Sequence, residues 1–192
     1  MDTVLLLGEA GPGGAYVLRL AVAQPLAISF GRFAGGELIP IPAGAILYTG
    51  SALGQAGGAA LARRLLRHAT RSGAQPPHPI RTDIERAFTA AGAAEAALRP
   101  PRQKRLHWHV DYLLDQPQVS LTHIIALRSQ QRLEAVVSQL LQADPLTGVL
   151  RPGLGASDLP GHTNLLLATA DVAWWANLAH RLAGLLPPNS FA

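Results

Sequence analysis

The stretch RLHWHVDYLL, residues 105–114, gathers two histidines, a tryptophan, an aspartate and a tyrosine in a chain otherwise rich in Ala, Leu and Gly. His107, His109 and Asp111 are residue types that ligate metals or carry protons. Drawn as a strand, the three share a face, but positions 107 and 111 stand about 13 Å apart at ~3.3 Å per residue, too far to hold one ion. Drawn as the start of a helix, His107 and Asp111 lie one turn apart and Trp108 meets Tyr112. From the residues alone both drawings stay open, and with them a His/His/Asp transition-metal site.

A second constellation is spread along the chain. Gly14-Ala15-Tyr16 opens one β-patterned segment, and Tyr48-Thr49-Gly50-Ser51 closes another just before an arginine-rich helix that carries Arg64 and, one turn on, His68. Two hydroxyls, a guanidinium and an imidazole would then surround one small area. A phenol with a pKa near 10 resists deprotonation at pH 7 by roughly 4 kcal/mol, so Tyr16 cannot act as a base unaided.

Other chemistries are excluded or weakened. The chain has no cysteine, which removes disulfides, thiol nucleophiles and Cys-type zinc sites. The glycine run LLLGEAGPGGAY leads into a β pattern rather than a helix, and no Gly-Lys-Ser/Thr follows, so it lacks the helix N-terminus that nucleotide phosphates need.

The elements that must position these groups can be read from periodicity. GGAYVLRLAVAQPLAISFG reads as a strand pair broken at Gln24-Pro25, and ELIPIPAGAILYTGSALG as a further extended segment whose prolines mark an edge. AALARRLLRHATR puts Leu61, Leu65 and Leu66 on one helical face and ends near Ser72-Gly73. Residues 72–104 form an Ala/Pro-rich insertion with one short helix around Thr82 to Leu98. VSLTHIIALR is a strand. SQQRLEAVVSQLLQAD is a helix that Ser129 can cap, with Leu133, Val136, Val137, Leu140 and Leu141 as its buried stripe. Gly148 to Gly161 is a loop, TNLLLAT a strand, and residues 169–187 a C-terminal amphipathic helix. The expected order is β-β-β-α, insertion, β-α, loop, β, α. That is a single small mixed α/β (α+β) domain over residues 1–192.

The net charge of +4 comes from sixteen basic residues, and half of them fall in two short segments. Arg63, Arg64, Arg67 and Arg71 form one cluster, and Arg99, Arg102, Lys104 and Arg105 the other. Clustered guanidinium forks suit phosphate recognition, and solvated helix faces are the bland alternative. The acidic, briefly apolar start is not expected to direct export, so the cytoplasm is the expected location. Charges within residues 165–186 would cost roughly 2.5–3.5 kcal/mol each at mid-membrane, so no membrane association is expected.

The segments GAY, PAGAILYTGSALG, RLLRH, HWHVDYLL and GLGASD occur in the order seen in a family of uncharacterised bacterial and archaeal domains related to the GIY-YIG endonucleases, sometimes fused to endonuclease III-type repair enzymes. The resemblance covers roughly residues 14–68 and 105–167 and omits the insertion and the tail helix. It implies a small, mainly antiparallel three-stranded sheet flanked by helices, and divalent-metal-dependent cleavage of DNA phosphodiesters. By the same resemblance, Tyr16 contacts or activates the nucleophile, Tyr48 supports it, Arg64 clamps the scissile phosphate and His68 is the histidine of that helix. Glu134 resembles the single carboxylate that holds the metal. Mg²⁺, or Mn²⁺ in its place, suits one glutamate because it keeps its waters and binds phosphate oxygens directly.

The resemblance favours the helical drawing of HWHVDYLL, with Trp108, Leu113 and Leu114 in the core and His107 or His109 turned toward the phosphate site. The clustered cations Arg63, Arg67, Arg71, Arg102, Lys104 and Arg105, together with Ser51, are the expected DNA contacts. One departure stands out: relatives carry cysteines through the GLGASDLPGH loop and a Ser-His pair after it, where this chain has Ala156, Leu159 and Gly161, then Thr163-Asn164. The expectation is therefore a Mg²⁺- or Mn²⁺-dependent DNA endonuclease in repair or processing. Its rivals are a nuclease-derived module that binds DNA without cutting, and a scaffold docking a protein partner through Trp174 and Trp175 of the tail helix.

Overall fold

A computed structural model describes residues 2–54, 60–73, 75–101, 103–155, 163–169 and 171–187. Its centre is a pair of long apolar strands, β2 (Gly14–Val22) and β6 (Val119–Arg128), which run antiparallel to each other. β5 (Gly44–Ala52) flanks β2 on its other side, also antiparallel. These strands are buried nearly throughout because helices cover both faces.

Along β2 the side chains alternate between two cores. Tyr16, Leu18 and Leu20 pack with Leu61, Leu65 and Leu66 of α1 (Leu61–His68), Ile84 and Phe88 of α2 (Arg81–Ala90) and Val110, Leu113 and Leu114 of α3 (His109–Leu114). Ala15 and Val17 pack with Val137 and Leu141 of α4 (Glu134–Gln142) and with Trp175, Leu178 and Leu182 of α5 (Val172–Ala183).

The expected three-stranded antiparallel sheet is corrected to a six-stranded mixed one. β1 (Val4–Leu7) adds in parallel to β6, and β8 (Leu165–Ala168) and β7 (Thr147–Val149) extend beyond β5, giving the order β1-β6-β2-β5-β8-β7. The expected hairpin between the two halves of GGAYVLRLAVAQPLAISFG does not form either. Both edges of β2 are taken by nine- and ten-residue strands. The short β3 (Leu26–Ser29) pairs instead with β4 (Leu38–Ile41) as a separate ribbon that buries Ile28, Ile39 and Ile41.

The Ala/Pro-rich segment is part of the core. Ile80, Ile84 and Phe88 are buried, and the helix expected over 82–98 stops at Ala90, where Gly92 adopts φ +78° and its N–H bonds the Thr89 carbonyl at 3.0 Å. A separate 3₁₀ turn, Glu95–Leu98, follows. Ser129 does not cap α4; its hydroxyl accepts from the Gln131 N–H, and Val136, expected in the buried stripe, is exposed. The apolar stretch 165–186 divides into β8 and α5, whose start is capped by Asp171 accepting from the Trp174 N–H at 2.8 Å. Trp175 is buried, and the Trp174 indole N–H donates to Asp144, so both tryptophans turn inward. Among the described residues no helix is long and apolar enough to cross a membrane.

Candidate active site

Tyr16 points from β2 toward α1 and meets His68 at the end of that helix, its hydroxyl 2.8 Å from Nε2. Strand register dictates the fit. Tyr16 stands opposite Gly50 on β5, and a Cβ on Gly50 would lie 2.6 Å from the phenol oxygen, so glycine there leaves the ring its space. Tyr48 completes an aromatic cluster, with its ring 6.3 Å from that of Tyr16 and 6.0 Å from that of His68. All three side chains are buried. Burial pushes the pKa of both phenols up, and Arg64 works against the rise. Burial likewise lowers the pKa of His68 to about 4, although the nearby Asp111 opposes it.

Arg64, half-buried on α1, stacks its guanidinium 4.0 Å above the Trp108 ring and places Nη1 3.5 Å from the Ser51 carbonyl oxygen. Its Nε is buried and has no hydrogen-bond partner. Glu134, the first residue of α4 and favourably placed at that helix's N-terminus, accepts from the Ser51 hydroxyl and, at 2.9 Å, from Asn164 Nδ2. Asn164 is in turn held by the Ser138 hydroxyl at 3.0 Å. β8 pairs with β5 only over Ala45–Tyr48, and beyond it the Asn164 carbonyl takes the Thr49 N–H at 3.0 Å. Ser51, Glu134, Asn164 and Arg64 therefore meet past the end of the β5–β8 pairing, where β5 still pairs with β2.

A family model described as "Domain of unknown function DUF123" matches residues 15–184. The chain belongs to the DUF123 family. No curated protein and no solved structure matches it. The matched span takes in every residue of the cluster, and it also runs across segment 72–104 and all of α5.

Within this DUF123 domain, HWHVDYLL is a helix start. The Asp111 carboxylate accepts the backbone N–H groups of His107 and Trp108 at 2.9 and 3.0 Å, which closes the first turn of α3. The His/His/Asp metal site does not assemble. His107 is exposed with its ring on Trp108, whereas His109 accepts the Gly155 N–H at Nδ1 and sits between Phe30 and Phe33. Among the described residues neither histidine hydrogen-bonds to or stacks on Tyr16, Arg64 or Glu134.

Three of the cations expected on DNA are engaged inside the domain. Arg67 forks onto Asp111 at 2.9 and 2.8 Å, donates to the Arg105 carbonyl and stacks on Trp108. Arg71 donates to the carbonyls of Leu114 and Val119. Lys104 is fully buried, its Nζ 3.6 Å from both Asp111 and Asp115. Arg67 and Lys104 have carboxylate partners and Arg71 has backbone ones, so all three are engaged within the fold, although Arg67 and Arg71 stay partly exposed. Arg105 is exposed; Arg63 is half-buried beside a cavity of about 560 Å³ that Arg128 also lines; Arg102 lies outside the described residues, as do Ser157 and Asp158.

As a metal site the cluster is spare. Among the described residues no three His, Asp or Glu side chains converge, and Glu134 stands alone with both oxygens hydrogen-bonded. One half-buried carboxylate is a donor set suited to Mg²⁺, which retains waters and takes phosphate oxygens, and unsuited to a metal caged by protein ligands. Sequence reasoning missed Gly50, Asn164 and the central position of Asp111. Only the Asp111 signal was local, in its place at the third position of a helix start.

Proposed function

We propose that this DUF123 domain is a DNA endonuclease of the GIY-YIG type, dependent on Mg²⁺ or Mn²⁺ and acting in DNA repair or processing. The observation that carries the reading is the meeting of Tyr16, Arg64 and Glu134, from β2, α1 and α4, beside the part of β5 that lies past its pairing with β8. The aromatic cluster and the ordered motifs are those that the resemblance to GIY-YIG endonucleases implies. The central strands β6-β2-β5 form the antiparallel trio such a site requires, within the larger sheet.

Each group then has a task. Arg64, with its guanidinium braced on Trp108 and Nε unpartnered, binds the scissile phosphate. A water molecule forms the new bond to phosphorus as the bond to the leaving oxygen breaks, and the leaving oxygen takes a proton from solvent. The attacking water's proton passes to the Tyr16 oxygen while the phenol proton moves to His68 Nε2, so Tyr16 never carries a full charge in its buried position. Tyr48 packs the Tyr16 ring in place, and Ser51 with Asn164 orients Glu134. A Mg²⁺ or Mn²⁺ ion held by Glu134 would supply charge stabilisation at the phosphate.

The test is incubation of purified protein with Mg²⁺ or Mn²⁺ and single-stranded, branched or damaged DNA. Cleavage that Tyr16→Phe and Glu134→Gln abolish supports the reading. One observation favours a second reading, a module that binds DNA without cutting it: Tyr16 has no exposed surface and both Glu134 oxygens are already engaged. Salt-dependent DNA binding that survives Glu134→Ala, with no cleavage by the wild type, would select that alternative.

A further inference from the structure

Asp111 has no assigned part in the reaction, yet among the described residues it is the most heavily hydrogen-bonded carboxylate. Its Oδ2 accepts from Arg67 Nη2, His107 N and Trp108 N at 2.8, 2.9 and 3.0 Å. Its Oδ1 accepts one close donor, Arg67 Nη1 at 2.9 Å. A carboxylate oxygen has room for about two donors, so the open capacity lies on Oδ1. Two groups face it there: His68 Nδ1 and Lys104 Nζ, each at 3.6 Å. Asp111 is completely buried, and burial pushes its carboxyl pKa up, but the nearby His68 imidazole and the Arg67 guanidinium hold it well below the usual carboxylate range.

His68 Nδ1 is buried and has no hydrogen-bond partner, so the nearest group able to choose its protonation is the Asp111 carboxylate. A neutral imidazole carries one N–H and one lone pair. A lone pair on Nδ1 facing an anionic oxygen is repelled, whereas an N–H there is attracted. The proton therefore belongs on Nδ1 and the lone pair on Nε2, which is the atom 2.8 Å from the Tyr16 hydroxyl.

We infer that Asp111 is a positioning residue: it holds His68 as the Nδ1–H tautomer, so that Tyr16 donates to Nε2 and presents its oxygen lone pairs to the phosphate site. The use made of those lone pairs rests on the endonuclease reading; the tautomer does not. With the opposite tautomer, His68 would donate to Tyr16, the phenol proton would turn into the site, and the water's proton would have nowhere to go.

The experiment is ¹⁵N NMR of histidine-labelled protein at neutral pH, with the His68 signals assigned from the His68→Gln spectrum. The expected wild-type result is a protonated Nδ1 and an unprotonated Nε2. In Asp111→Asn the two nitrogens should mix or exchange character, and kcat for DNA cleavage should fall roughly 10²–10⁴-fold, as when a carboxylate that sets a histidine tautomer is neutralised. Lys104→Met, which alters the same buried group from the other side, should leave the His68 nitrogens as they are. A wild-type His68 protonated at Nε2 overturns the inference, as does an Asp111→Asn spectrum in which His68 is unchanged. Should Asp111→Asn fail to fold, the wild-type spectrum still decides. Expected nitrogens in a protein that cuts no DNA would sink the endonuclease reading alone, and cleavage by a protein protonated at Nε2 would sink the positioning role alone.

Discussion

The Tyr16 hydroxyl lies 2.8 Å from His68 Nε2, with neither side chain exposed to solvent. Removing it in Tyr16→Phe strands a buried imidazole nitrogen, a loss of about 1–3 kcal/mol. Loss of the proton acceptor should also lower any cleavage rate by roughly 10²–10⁴-fold. Urea unfolding and a nicking assay measure the two separately. A variant as stable and as active as wild type would mean the contact has neither role.

The pH dependence of stability has a definite sign. Burial lowers both His68 and His78 to about 4, below the 6.5 of an unfolded histidine. Between those values the unfolded chain binds protons that the folded chain does not, so stability falls as pH drops from about 6.5 toward 4. His68 alone should contribute a loss on the order of 3 kcal/mol. Denaturant titrations at pH 7 and pH 4.5 check this, and a flat profile would contradict the burial of both rings.

Gly50→Ala should disturb the same contact from across the sheet. The added methyl would sit 2.6 Å from the phenol oxygen and must displace either the Tyr16 ring or β5. Overpacking of this kind typically destabilises by about 1–3 kcal/mol. The loss should appear in thermal unfolding, together with a shift of the Tyr16 ring resonances. Unchanged ring resonances would place Tyr16 elsewhere.

Arg64→Lys keeps the charge but loses the planar fork that stacks on Trp108. Cleavage should fall roughly 10²–10³-fold, the usual scale for removing one positioned donor to a developing charge. Trp108→Leu should produce part of the same defect without changing any charge, because Arg64 would lose its platform. Steady-state kinetics of the two variants decides, and a fully active Arg64→Lys would argue against a clamped phosphate.

Burial also separates two neighbouring cations. Lys104 is enclosed between Asp111 and Asp115, whereas Arg105 is exposed. Arg105→Gln should therefore reduce the slope of log K against log salt for DNA binding by about one, and Lys104→Met should leave the slope unchanged. Fluorescence anisotropy across a salt series reads both. A reduced slope for Lys104→Met would place that lysine on the surface.

Sequence alone determined the features that neighbours along the chain can dictate. The β-branched run VSLTHIIALR is β6 residue for residue, the leucine spacing of LARRLLRH is α1, and the helical drawing of HWHVDYLL is α3. Tyr16, Tyr48, Arg64, His68 and Glu134 are grouped through the family resemblance, as an expectation, and not by any local pattern. Tertiary structure decided what each group faces. Arg67, Arg71 and Lys104 carry the same charge as Arg105, and no local pattern marks them as engaged within the fold; their partners are Asp111, the Leu114 carbonyl and Asp115, which only the docking of α3 brings to them. Likewise β3 met β4 because longer strands had already taken both edges of β2. Periodicity and capping act over a few residues, whereas the solvation of a charge and the partner of a strand depend on segments tens of residues away.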